Sequence, residues 1–517
     1  MIRSVRLIRN SAVRMGNFGL GMVISFFLMP FLVHSLGDRM YGIWTLVGSV
    51  LGYYGLIDIG LSSAVVRFIS RAVGREEHHE IRVVFCTSFY LFLAMGLITA
   101  TLTIALRWCL SGIIQSPEDL GLFRSLLLIM GFSFAIDFPV RAYNAVFTSN
   151  IRDDVSVGIT MVKQIVATAA IVWAVKQNMG IMALALISVG SSVLDSIARV
   201  FFALKIEPAI SINPKYIDWS RVKPLFGYSA YSFVSRIGDI LQFRIDNVVI
   251  TAYVGLGAVT HFFVGGRLVE YLRDALSQSV RGMVPVFSQD EGRNNFDSIR
   301  AKFLYVTKLT CMMATFAVGC SIAYGHAFIE AWMGPRFLDA YPVLVALTAG
   351  MFFRMVQLPS VPLLYGISKH KYHAYATLIE GILNLLLSIY LVKKMGILGV
   401  AVGTQIPMMF MTIFIQPWYV SRVTGLDVWL YARHTIKNTA ICWVAFAIGW
   451  VVCRNFVHPA YLWLIIVGTV QSLIFWPLAL WFGLTFGERN HLFTALRRSV
   501  SPSGEKDPEP MVVGAGS

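Results

Sequence analysis

VVFCTSFYLFLAMGLITATLTIAL, Val83–Leu106, runs without a charged residue and is closed by Arg82 and Arg107. At about 1.5 Å per residue a helix of this stretch spans about 36 Å, more than a bilayer's hydrocarbon core of about 30 Å. Working outward from it, about 14 segments of this kind follow one another. They lie near 12–35, 40–66, 82–107, 121–147, 155–176, 179–203, 225–250, 256–286, 302–324, 341–365, 373–392, 397–420, 437–456 and 461–486. Of the 517 residues 56% are hydrophobic and 14% charged, and the mean hydropathy is +0.68. A soluble domain is about 45–50% apolar and about 25% charged. These values exclude a soluble enzyme, and disorder needs low hydrophobicity. The fold class is all-α integral membrane, with about 14 transmembrane helices.

The net charge of +15 fits that class, because cytoplasmic loops collect Lys and Arg. With the N-terminus inside, roughly 23 Lys and Arg fall on the inner side and roughly 6 on the outer. Both termini are therefore expected in the cytoplasm, beside anionic membrane lipid. The basic residues stand singly between apolar runs, which argues against nucleic acid. MIRSVRLIRN (Met1–Asn10) reads as a basic cap on the first span, since the following apolar run is too long for a signal peptide. If the first six spans form one bundle, the seventh starts inside again, and the second six repeat the first in parallel. The expected domains are 1–204 and 225–421 as six-helix bundles, with 205–224 as an inter-bundle loop. Two added spans occupy 422–486, and 487–517 is a cytoplasmic, largely disordered tail.

Charges inside spans are expensive, about 2.5–3.5 kcal/mol each at mid-bilayer, and must face protein or water. The seventh and eighth spans hold most of them. Arg236, Asp239 and Asp246 share one side of the seventh, with Arg244 beside them. On the eighth, Arg267, Glu270, Asp274 and Arg281 form one stripe, and Arg273 is a further cation. Arg236, Arg244, Arg267 and Arg273 are the expected substrate-binding residues of a cationic cavity, because guanidinium suits phosphate and pyrophosphate. Asp239, Asp246, Glu270, Asp274 and Glu380 are candidates for ion coupling or release. The competing reading is that these acids and arginines pair as interhelical glue. Asp195 and Arg199, four apart, read as a structural ion pair.

Other signals point nowhere catalytic. EEHHE (Glu76–Glu80) lacks zinc spacing, and the six cysteines form no C-x-x-C pair. Gly16-x-x-Gly19-x-Gly21 lies inside a span and follows no strand, and no P-loop appears. No metal, cofactor or enzymatic role is expected. Pro30, Pro139, Pro359 and Pro362 interrupt spans as candidate hinges, and Gly48-x-x-x-Gly52 and Gly399-x-x-x-Gly403 allow close packing.

Four stretches together carry a family likeness. LGDRMYGIWTLVGSVLGYYGLIDIGLSSAVVRFIS (Leu36–Ser70) resembles the second span of Wzx-type polysaccharide or O-antigen flippases. These belong to the multidrug/oligosaccharidyl-lipid/polysaccharide (MOP) exporter superfamily. FRIDNVVITAYVGLGAVTHFFVGGRLVEYL (Phe243–Leu272), MVPVFSQDEGR (Met283–Arg293) and MGILGVAVGTQI (Met395–Ile406) resemble later parts of the same family, in order. The resemblance implies two six-helix bundles forming a V, plus two extra spans, in the bacterial inner membrane. It implies movement of an undecaprenyl-pyrophosphate-linked oligosaccharide from the cytoplasmic to the periplasmic leaflet by alternating access. O-antigen, capsule or exopolysaccharide assembly would follow, beside a polysaccharide polymerase and a chain-length regulator. Two rivals stand against it. A cation-coupled small-molecule exporter of the same architecture would need an acidic, aromatic pocket near Asp58 or Asp137. A polytopic glycosyltransferase or polymerase would need a large outer loop, and Gly325–Ala340 is too short.

Overall fold

The computed structural model describes residues 2–500 apart from 59, 110–115, 151, 224, 226–236, 238–244, 281, 282, 368 and 370. Among the described residues there is no strand. Ten helical stretches there are long and apolar enough to cross a membrane. The fourteen expected segments reduce to ten for physical reasons. Segment 40–66 is broken into two short helices, and 225–250 lies mostly outside the described residues. Segment 256–286 is diluted by Arg267, Glu270, Arg273 and Asp274, and 373–392 and 397–420 run through one stretch, Lys371–Thr424. The chain divides into two compact units, Met1–Thr260 and His261–Ser517.

The first unit contains α1 (Ile2–Leu36), α2 (Asp38–Tyr53), α3 (Leu61–Gly74), α4 (His78–Cys109), α5 (Pro117–Ser149), α6 (Asp153–Lys176), α7 (Gly180–Ile206) and α8 (Ile245–Tyr253). Phe85, Phe92, Phe138 and Phe147 fill its core. α4 and α5 approach closely because Gly96 has no side chain: a Cβ there would stand 2.6 Å from the Ala135 carbonyl oxygen. Between α2 and α3 the backbone needs a left-handed residue, and Gly60 supplies it at φ 77°. Asp58 Oδ1 then accepts from the backbone N–H and the hydroxyl of Ser62, both at 3.1 Å, satisfying a donor at the start of α3. The segment 205–224 folds back on α4. Arg82 donates to the Ala209 carbonyl and lies over the Tyr216 ring, and Arg221 pairs with Glu80 at 3.0 Å. Hydrogen bonds from Ser220, aided by Arg221, hold the Asp218 carboxyl below its ordinary range.

The second unit continues α9 (Leu256–Val280) and adds α10 (Met283–Gly292), α11 (Phe296–Met333), α12 (Ala340–Val356), α13 (Ser360–Gly366), α14 (Lys371–Phe410), α15 (Gln416–Thr424), α16 (Val428–Cys453), α17 (Tyr461–Gly483) and α18 (Phe486–Val500). Glutamines act as its buried ties. Gln471 accepts from the Tyr324 hydroxyl at 2.9 Å and donates to the Phe446 carbonyl at 3.0 Å, joining α11, α16 and α17. Gln357 accepts from the Tyr431 hydroxyl at 2.8 Å and from Ser360 at 3.0 Å. α18 occupies part of the stretch expected as disordered tail. Lys308 Nζ bonds Glu488 at 2.8 and 3.0 Å, and Thr485 and Glu488 cap each other as the helix starts. Residues 501–517 lie outside the described residues.

Pro30 and Pro139 sit inside continuous helices, whereas Pro359 stands in the break between α12 and α13. α14 turns at Gly396 (φ 58°), and its two arms then pack on each other. A Cβ on Gly399 would meet the Leu391 carbonyl oxygen at 2.3 Å, and one on Gly403 the Ser388 nitrogen at 2.7 Å. A Cβ on Gly48 meets nothing within 4 Å, so that expected packing glycine has no such role. Gly403→Val is expected to destabilise the protein by about 1–3 kcal/mol through overpacking. Gly48→Ala should not lower Tm; thermal melts of both variants in detergent make the comparison.

Candidate functional site

α9 presents its charges because of how it is seated. A Cβ on Gly265 would come within 2.9 Å of the Ala340 carbonyl oxygen, so the glycine lets α9 lie against α12. His261 Nδ1 bonds Asp339 at 2.6 Å and stacks on Phe337, fixing the same edge. Arg267, two residues on, points about 200° round the helix from Gly265. Its Nη1 donates to Glu270 Oε2 at 2.7 Å, and its guanidinium lies 4.7 Å from the Tyr271 ring centre. The two side chains keep 31% and 37% of their surface. Arg273 donates to Asp274 at 3.0 Å and 3.2 Å. Arg267, Glu270 and Asp274 of the expected stripe lie on α9; Arg267 pairs with Glu270 and Arg273 with Asp274 on the same helix, each side chain partly accessible. Arg236, Asp239, Arg244 and Arg281 lie outside the described residues. Asp246 is buried in the first turn of α8, beside Asn247, whose Nδ2 donates to Ser49 Oγ at 2.7 Å.

Glu380 belongs to a different arrangement. Arg354 at the end of α12 donates from Nη1 to Glu380 Oε1 on α14 at 2.7 Å, and the carboxylate is almost wholly buried. The pair lines a cavity of about 250 Å³. Tyr372, Tyr375, Trp418 and Tyr419 form its aromatic lining, and Met411, Thr412 and Ile415 come from a π-helical turn, Met411–Ile415. Such turns widen a helix and concentrate at functional sites. Chemically, the cavity offers an apolar, aromatic space with one guanidinium–carboxylate pair in its wall. Protonating Glu380, or bringing a phosphate to Arg354, would exchange the partner of that guanidinium. The sequence marks Arg354 and Glu380 as intramembrane charges but does not join them. They stand 26 residues apart, and no periodicity connects α12 to α14.

Other intramembrane charges are structural. Arg199 donates to Asp195 at 2.6 Å, to Asn144 at 2.7 Å, to Ser156 at 2.8 Å and to Thr160 at 2.7 Å, so the expected i, i+4 pair also ties three helices. Arg141 lies 3.5 Å from Asp58 and 3.8 Å from Asp137, with its guanidinium 4.1 Å from the Phe138 ring centre. A guanidinium thus already stands beside both carboxylates that the small-cation exporter would need. Arg14 pairs with Asp153. Among the described residues no cluster of metal-ligand type occurs. Arg199→Ala strands Asp195 and is expected to cost about 3–5 kcal/mol. A Tm equal to that of the unmodified chain would overturn the structural role of Arg199.

Comparison with known proteins agrees with this architecture. Membrane protein EpsK of Bacillus subtilis strain 168 is 23% identical over 512 residues, covering 95% of this chain and 98% of its own. A Shigella flexneri protein that bears the name of an O-antigen transporter is 22% identical over 437 residues, covering 83% of this chain and 98% of its own. The structure of the lipid II flippase MurJ in an inward closed conformation superposes with a TM-score of 0.72 at 16% identity, over 92% of this chain and 98% of that one. Residues 36–342, more than half of the chain, match the family described as polysaccharide biosynthesis protein. The resemblance read from Leu36–Ser70 onward is borne out: the chain belongs to the polysaccharide biosynthesis protein family.

Proposed function

We propose that this chain is a flippase, not an enzyme, that carries an undecaprenyl-pyrophosphate-linked oligosaccharide from the cytoplasmic to the periplasmic leaflet of a bacterial inner membrane. Alternating access through a cationic cavity moves the diphosphate, and the sugar serves assembly of O-antigen, capsule or exopolysaccharide. The observation that carries the reading is Arg267: its guanidinium lies 4.7 Å from the Tyr271 ring centre, beside Glu270, and about one third of the side chain is accessible. A diphosphate can replace one carboxylate contact with two charge-assisted bonds to such a group. The family match and the likeness to MurJ support the same direction. Arg236, Arg244 and Arg273 are assigned to the same cavity. Asp239, Asp246, Glu270, Asp274 and Glu380 are assigned to coupling or release. The small-cation exporter is the weaker reading, because Arg141 already stands 3.5 Å from Asp58 and 3.8 Å from Asp137.

Two experiments test this. Purified protein in liposomes is expected to flip a fluorescent undecaprenyl-pyrophosphate oligosaccharide, and Arg267→Ala to reduce the rate at least tenfold while the protein still inserts. Unchanged flipping by Arg267→Ala and Arg236→Ala, or transport of an organic cation instead, would sink the assignment. Glu270→Gln and Glu380→Gln are expected to change the pH dependence of flipping in everted vesicles. A rate indifferent to pH and sodium gradients would remove these carboxylates from coupling.

A further inference from the structure

The first unit carries a second cationic cavity that the proposed transport path does not use. It has a volume of about 480 Å³ and is lined by Asn150, Arg152, Val155, Phe202, Lys205 and Ile206. It sits where α5 ends, α6 begins and α7 ends, on the Lys- and Arg-rich side of the spans. Lys205 makes no hydrogen bond or ion pair among the described residues. Arg152 has Asp154 3.4 Å from its Nε, and that nitrogen makes no hydrogen bond. The nearby Asp153 is already held by Arg14 and by the Thr148 hydroxyl. Two cations with spare donors thus face one polar space.

A second space shares part of that wall. Val155 and Phe202 also line an apolar groove of about 420 Å³ between α6 and α7, walled by Gly158, Val162, Val166, Leu194 and Ala198. The polar groups in the groove are engaged elsewhere: Lys163 donates to Ser192 at 3.0 Å, and Asp195 is held by Arg199. Val162 and Leu194 are largely exposed, so the groove lies open along its length. A cationic pocket and an apolar groove that meet at Val155 and Phe202 together have the form of an anionic amphiphile. Guanidinium and ammonium together suit a phosphate, and basic pockets between membrane helices hold lipid head groups. One groove admits one hydrocarbon chain, which favours a polyprenyl phosphate over a two-chain phospholipid.

We propose that Arg152 and Lys205 hold the phosphate of a polyprenyl phosphate lipid whose first isoprene units lie in the α6–α7 groove. This rests on the flippase reading, and the site would dock the substrate's lipid end before the glycan enters the translocation path. The test uses the full chain in detergent, titrated with undecaprenyl phosphate and read by native mass spectrometry. Arg152→Gln with Lys205→Gln should weaken binding at least tenfold. Gly158→Phe should do so independently by plugging the groove, since a Cβ there meets nothing within 4 Å and the fold can accept it. Unchanged Tm would show that both variants are folded. Phosphatidylglycerol at equal mole fraction should not displace the probe. Binding by the variants equal to the unmodified chain would overturn the site while leaving flipping by that chain intact. Equal displacement by phosphatidylglycerol would assign the cavity to bulk phospholipid and overturn the proposed occupant. Absence of undecaprenyl phosphate binding to the unmodified chain, together with absent flipping in liposomes, would remove the flippase reading as well.

Discussion

A charge inside a hydrocarbon layer has no water to hydrate it, so it must find its partners within the protein. Much of this structure follows from how that requirement is met. Arg199 spends its donors on Asp195, Asn144, Ser156 and Thr160, and thereby locks α5, α6 and α7. Lys308 and Glu488 do the same for α11 and α18. Arg141 bridges Asp58 and Asp137, and Asp58 also completes the start of α3. In each case a residue that would be costly alone becomes a cross-link once two or three helices supply its partners.

Irregular backbone is placed by the same rule. Helix ends and breaks expose carbonyls and N–H groups that lipid cannot satisfy, so they occur where side chains reach them. The break near Asp58 and the interruption around Pro359 both have side-chain partners at hand. Gln357 illustrates this, with its side chain accepting from Ser360 and Tyr431 and its carbonyl accepting from Gln416 at 3.3 Å. The π-helical turn Met411–Ile415 lies next to the cavity that holds Arg354 and Glu380. Packed glycines such as Gly403 make neighbouring segments rigid, while broken spans give the chain discrete places at which to bend.

The pattern of pairing also separates roles. Arg199 has its donors consumed in a buried cage, which suits structure. Arg267 shares its carboxylate within one turn and keeps accessible surface, which suits exchange with an incoming anion. Arg354 and Glu380 form a tight, buried pair in the wall of a cavity. The acidic site near Asp58 holds a built-in guanidinium over Phe138 and offers little to an organic cation.

Composition and run length were sufficient to establish an all-helical membrane protein, because the length of an apolar run is dictated by bilayer thickness and needs no tertiary information. Helix-local pairs were legible for the same reason: Asp195 with Arg199, and Arg267 with Glu270, are one turn apart, and spacing alone brings them together. The separation of the spans at 373–392 and 397–420 was expected from the sequence, whereas the reversal at Gly396 with φ 58° is a finding of the structure. Continuous passage through Pro30 and Pro139, the helix over Phe486–Val500, the union of Arg354 with Glu380 and the two cavities that share Val155 and Phe202 were decided only in three dimensions. Each depends on which helix lies beside which, and contacts between residues tens or hundreds of positions apart leave no periodic trace in a chain that is apolar almost throughout.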